Sequence, residues 1–81
     1  MATLFILDVP EFRPLAETLA AMPGLRAERL GSFTRVTAPA TLAVARARTG
    51  LDKAIWFGAL TGGYQGRVER FDEDELRIAA A

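Results

Sequence analysis

Asp8 and Glu11 stand three residues apart at the end of an apolar run, a spacing at which two carboxylates could share acid–base work. With Pro10 between them, the same spacing is also a helix start: a short acid as cap, Pro in the first turn and a second acid near the exposed N–H groups. Capping accounts for both carboxylates without a reaction, and Asp8 is read first as a cap. Tyr64 and Lys53, the only Tyr and the only Lys, are the other side chains suited to a small polar ligand. Together with Asp8 or an Arg they would form a site between the second helix and the sheet.

Three further stretches invite chemical readings. Thr61-Gly62-Gly63-Tyr64-Gln65-Gly66 is glycine-rich, but it has neither the spacing nor the Lys-Ser/Thr ending of a phosphate-binding loop. It reads instead as a helix stop followed by a turn into a strand. Leu42 to Leu60 has the outline of a helix-turn-helix, with Arg46, Arg48 and Lys53 as its basic residues. Its would-be recognition helix carries Trp56 and Phe57 where polar base-reading side chains belong. Asp72-Glu73-Asp74-Glu75 is an acidic run, which as a turn would simply be solvated; a calcium loop needs more oxygen ligands than it offers.

Composition narrows the chemistry further. The 81 residues include no Cys and no His, which removes disulfides, thiolate metal sites, zinc fingers and a histidine general base. Neither metal nor cofactor is expected. Ten basic and ten acidic residues balance to zero net charge, against a main role on nucleic acid, where affinity rests on a positive surface. Apolar runs are too short to span a bilayer or to serve as a signal core, so the expected location is the cytoplasm. The length allows one domain, residues 1–81, whose core alone is thin. Oligomerisation is the remaining way to stiffen so small a chain, and a hydrophobic content of 51% suits it.

The elements that must position these groups follow from periodicity. Ala2 to Asp8 reads as a strand apolar on both faces, as in a central strand covered on two sides. Phe12, Leu15, Leu19 and Met22 form one apolar stripe, predicting a helix that Pro23-Gly24 ends. Leu25 to Ala38 predicts a hairpin turning at Gly31-Ser32. In that register Leu30 faces Phe33 and Glu28 faces Arg35 on one side, while Ala27 faces Val36 on the other. Ala40 to Thr49 reads as a second helix, and Asp52 restarts a helix to about Leu60, with a strand as the competing reading. Arg67 to Phe71 is a strand. Leu76 to Ala79 returns as another strand or as a short helix. The expected fold is α+β: one two-layer domain in the βαββαβ, ferredoxin-like order, with that extra C-terminal element.

The strongest signal concerns surface. Ile55, Trp56 and Phe57 are consecutive, and on a helix they fan through about 200°, wider than one buried stripe. A two-layer fold covers only one face of its sheet, yet the first strand is apolar on both. Several uncovered apolar groups together mark an interface. The expected interface residues are Ile55, Trp56, Phe57, Leu30 and Phe33. The function that fits is a non-enzymatic association module, either a homo-oligomer, with a symmetric homodimer as the expected form, or an accessory, regulatory subunit of a larger assembly. A ligand-binding domain or modest enzyme using Tyr64, Lys53 and Asp8 is the alternative, and a nucleic-acid-binding protein using Arg46, Arg48 and Lys53 is a more distant one.

Overall fold

A strand β1 (Ala2–Leu7) opens the chain, followed by a 3-10 turn (Pro10–Phe12) and helix α1 (Arg13–Ala20). A hairpin of β2 (Arg26–Leu30) and β3 (Phe33–Ala38) completes the first half. The second half runs through β4 (Thr41–Ala45), α2 (Arg46–Thr49), α3 (Lys53–Trp56), β5 (Tyr64–Gln65), β6 (Arg67–Phe71) and β7 (Glu75–Ala79). The computed structural model describes residues 1–81. Its strands form two antiparallel sheets, an N-terminal one in the order β2-β3-β1-β5 and a C-terminal one in the order β4-β7-β6. No helix is long and apolar enough to cross a membrane.

The hairpin has the register read from the sequence: Leu30 faces Phe33, Glu28 faces Arg35 and Ala27 faces Val36. Gly31 carries φ +60° in the first central position of the turn, where the two-residue hairpin turn calls for a glycine. The α+β class also stands, and residues 75–79 are a strand. The ferredoxin-like order does not. Its second long helix is absent, because Leu42 and Val44 alternate with Ala43 and Ala45 and obey the two-residue period of a strand. Pairing β4 with β7 sets Leu42 against Ile78 and Val44 against Leu76, all four buried. Burial of those side chains outweighs the helix propensity of the alanines, and only Arg46–Thr49 remains helical. A second sheet therefore forms where one continuous sheet was expected.

Both sheets, α1 and α3 share one core, with Leu4, Ile6 and Val36 from the first sheet, Leu42, Leu76 and Ile78 from the second, Leu15 and Leu19 from α1 and Trp56 from α3. The chain changes sheets at Gly66, between β5 and β6. A β-carbon there would collide with the Ala79 carbonyl oxygen, and one at Gly62 would collide with that of Phe5. The glycine-rich stretch is therefore a place where backbone lies against backbone. Phe5 N–H donates to the Gly63 carbonyl at 3.0 Å, tying the loop to β1.

Asp8 does not cap the first helix. The extended residue before the 3-10 turn is Val9, and no side chain caps the N–H groups. The Asp8 carboxylate instead accepts from Arg29 Nη2 at 2.7 Å, while its N–H donates to the Ser32 carbonyl at 2.8 Å. The end of β1 is thus held at the hairpin turn, and the guanidinium of Arg29 claims the carboxylate.

Trp56 corrects another expectation. It is fully buried, and cannot lie at an interface. Of the three fanned side chains, the largest turns inward. Asp52 caps α3 by accepting from Ile55 N–H at 2.9 Å, which fixes the helix phase, and the indole Nε1 donates to the Asp72 carbonyl at 2.6 Å. Asp72 sits in the acidic turn between β6 and β7. Its carboxylate accepts from Arg70 at 2.7 Å and from the N–H groups of Asp74 and Glu75, each at 2.9 Å. The Arg70 hydrogen bond, aided by the two amides, holds its pKa down to about 2. Arg46 crosses to the same turn, with its N–H on the Asp74 carbonyl at 2.8 Å and its guanidinium on the carbonyls of Glu73 and Leu51.

Two outcomes follow from this clasp. Trp56→Ala should lower stability by roughly 3–5 kcal/mol in urea denaturation, and Trp56→Phe by less, because a phenyl ring still fills most of the space although the donor to Asp72 and part of the ring volume are lost. Asp72 binds its proton less tightly in the folded chain than in the unfolded one, where its pKa is ~3.9. Its contribution to stability should be complete above that value and decline as pH falls towards about 2. Asp72→Asn should flatten that acid limb, measured as urea midpoints across pH.

Candidate interaction surface

In the N-terminal sheet, alternate residues of three strands point away from the core. The pairings arrange them in three rows. Leu7, Phe33 and Leu30 lie across β1, β3 and β2 at the hairpin end; Phe5, Arg35 and Glu28 form the middle; Thr3, Thr37 and Arg26 form the far end, with Gln65 of β5 beyond Thr3. The buried residues of α1, Leu15 and Leu19, belong to the core on the opposite side, where Leu4 and Val36 point. The far end of this face is covered, since Thr3 is buried, while the hairpin end is partly open. Phe5, Leu7 and Phe33 are half-buried and Leu30 is 40% exposed. The Gly62 backbone lies beside the Phe33 ring and shields part of this face.

The middle row carries the charge. Arg35 Nε donates to Glu28 at 3.1 Å and its Nη2 donates to the same oxygen. The Arg35 hydrogen bond, reinforced by its charge, lowers the Glu28 pKa. A pair this exposed stabilises little, but it fixes two charges beside an apolar row. The face can therefore bury aromatic and aliphatic groups at one end while a satisfied ion pair sets orientation, an arrangement suited to protein recognition.

The residues expected at an interface are divided by the fold. Leu30 and Phe33 lie in the apolar row. Ile55 is half-buried against the core, Trp56 is inside, and Phe57 is 49% exposed with its ring 5.5 Å from Phe71. Phe5 and Leu7 belong to the same surface as Leu30 and Phe33. Their signal was the unbroken apolar run of β1, whose odd-numbered members had no partner layer. The three suggested ligand-binding residues are engaged separately: Asp8 with Arg29, Lys53 Nζ with Glu73 at 3.0 Å, and Tyr64 on the edge strand beside Leu4. None of them lines the open depression of about 220 Å³ bounded by Met22, β4, Arg48, Glu75 and Arg77. Of the three basic residues considered for nucleic acid, Arg46 is committed to backbone carbonyls and Lys53 to Glu73; Arg48 stands apart beside the concavity.

These features define a small two-sheet α+β domain whose prominent surface is a partly exposed apolar row on one sheet face. Its backbone superposes with a TM-score of 0.78 on a chain in the solved structure of a phenol hydroxylase–regulatory protein complex, at 20% sequence identity, over 99% of this chain and 98% of that one. No protein-family model matches the sequence, and no curated protein matches it significantly. At this identity the likeness establishes a shared fold.

A surface held ready for a partner should tolerate polar substitution in the isolated chain. Leu30→Ser should change stability by less than ~1 kcal/mol, whereas Leu4→Ala, on the core side of the same sheet, should cost roughly 2–5 kcal/mol. Urea denaturation of the two variants separates them.

Proposed function

We propose that this chain is a non-enzymatic accessory subunit that docks on a larger enzyme through the outer face of its N-terminal sheet and regulates that enzyme. The observation that carries the reading is the partly exposed apolar row Leu7, Phe33 and Leu30, continued by Phe5, on a sheet whose other face packs Leu4, Ile6 and Val36 into the core. Burying such a row removes apolar area from water at ~25 cal/mol per Å², part of which offsets the cost of association. The matched chain is nearly equal in length to this one, a size that suits the regulatory component of a hydroxylase complex. A hydroxylase is accordingly the class of partner favoured, in a cytoplasmic assembly. The separation of Asp8, Lys53 and Tyr64 weighs against a catalytic site of the chain's own. Self-association through the same face is the competing outcome.

The test is purification of the tagged chain from its native cells, followed by size-exclusion chromatography with light scattering. The wild type should elute in a fixed ratio with a larger enzyme and alter that enzyme's turnover when added back. Phe33→Asp should remain folded and lose both effects. A wild type that elutes as a lone monomer, or as a homodimer that Phe33→Asp dissociates, would contradict the reading.

A further inference from the structure

Two sheets that do not close into barrels leave four edge strands: β2 and β5 on the first sheet, β4 and β6 on the second. An exposed edge offers unpaired N–H and C=O groups to any passing strand, and proteins protect edges with charge, irregularity or brevity. Three of the four are protected in these ways. β2 carries Arg26, Glu28 and Arg29, β5 has only two residues, and β6 carries Arg67, Glu69 and Arg70 with a register shift between Val68 and Arg70. β4, Thr-Leu-Ala-Val-Ala, has no charge, no proline and no irregularity.

The ladder shows which groups this edge presents. Arg46 N–H donates to Asp74 and Ala80 N–H donates to Ala40, at the two ends of the β4–β7 pairing. In an antiparallel pair, hydrogen-bonded positions alternate. The even-numbered residues Leu42 and Val44 thus bond to β7, and Thr41 and Ala43 direct both N–H and C=O away from it, as Ala45 does its N–H. No other strand pairs with β4, and these N–H groups have no other partner within the chain. The concavity lies beside them, bounded by Ala43, Ala45, Met22, Arg48, Glu75 and Arg77. Arg77 is paired with Glu75 at 2.8 Å, while Arg48 has no acidic partner. The depression, over the cross-strand pairs Ala43–Arg77 and Ala45–Glu75, is left with one positive charge, Arg48, that no acid pairs, next to the β4 edge.

We infer that the free edge of β4 is a strand-addition site for an extended segment of a partner protein, carrying an acidic side chain that reaches Arg48. Main-chain hydrogen bonds to Ala43 and Ala45 hold the segment, and the carboxylate fixes its register. This site is distinct from the outer face of the N-terminal sheet and does not depend on what docks there.

The probe is the capped peptide acetyl-Thr-Val-Glu-Val-Thr-amide, with its Gln counterpart, titrated into the ¹⁵N-labelled full chain. The Glu peptide should shift the Ala43 and Ala45 amide signals and slow their hydrogen exchange. Arg48→Gln should weaken its binding by about fivefold or more, to the level of the Gln peptide. Ala43→Pro removes an N–H that β7 does not use and should abolish binding; if that variant fails to fold, the surface substitution Arg48→Gln still decides. Three results would overturn the inference: no shift at Ala43 and Ala45 at millimolar peptide, equal binding of the Glu and Gln peptides, or a wild type that dimerises through β4, which would make the occupant a second copy of this chain.

Discussion

An indole can leave water without penalty only if its N–H finds an acceptor. In this chain that acceptor is the Asp72 carbonyl, 2.6 Å from Trp56 Nε1. The bond joins α3 to the β6–β7 turn, and Arg46 joins α2 to the same turn through the Glu73 and Asp74 carbonyls. The helices thereby rest on the C-terminal sheet, and the core closes around Trp56. The acidic run is consequently a structural hub. Asp72 serves through both its carbonyl and its carboxylate, and the low pKa of the latter reflects hydrogen bonds that hold the turn in the shape Trp56 requires.

Once the interior is filled in this way, the outer face of the N-terminal sheet is what remains. The core draws on Ala2, Leu4 and Ile6 of β1, leaving Phe5 and Leu7 half-buried on the other side. A sheet with one packed and one open face normally alternates apolar and polar residues. β1 departs from that rule, and the departure falls in the same cross-strand row as Phe33 and Leu30. Local preference and global fold disagree here, as they do where a surface has a use outside its own domain.

Much of the first half of the fold was legible in the sequence, because its signals were local and mutually consistent. The Gly31-Ser32 turn fixed the register, and the register placed Glu28, Arg35, Leu30 and Phe33 on one face. The second half was harder to read. Four alanines between Ala40 and Ala47 outweighed the alternation of Leu42 and Val44, although burial against Ile78 and Leu76 decides for a strand. The alanine content thus hides the second sheet and its free edge. The burial of Trp56 is hidden for a related reason: the fan of Ile55, Trp56 and Phe57 shows that something must be exposed, but the phase set by Asp52 decides that it is Phe57. The Asp8 cap was lost to a long-range partner, Arg29, which local spacing cannot reveal.

The central claim is that the outer face of the N-terminal sheet is covered in the working assembly. Carbene footprinting read by mass spectrometry tests it most directly, comparing the isolated chain with the chain in its purified complex. The account predicts that labelling of Leu30, Phe33 and Phe5 falls severalfold on assembly while Phe57 is labelled to the same extent in both. Unchanged labelling of the sheet face, with protection appearing at Phe57, would contradict it.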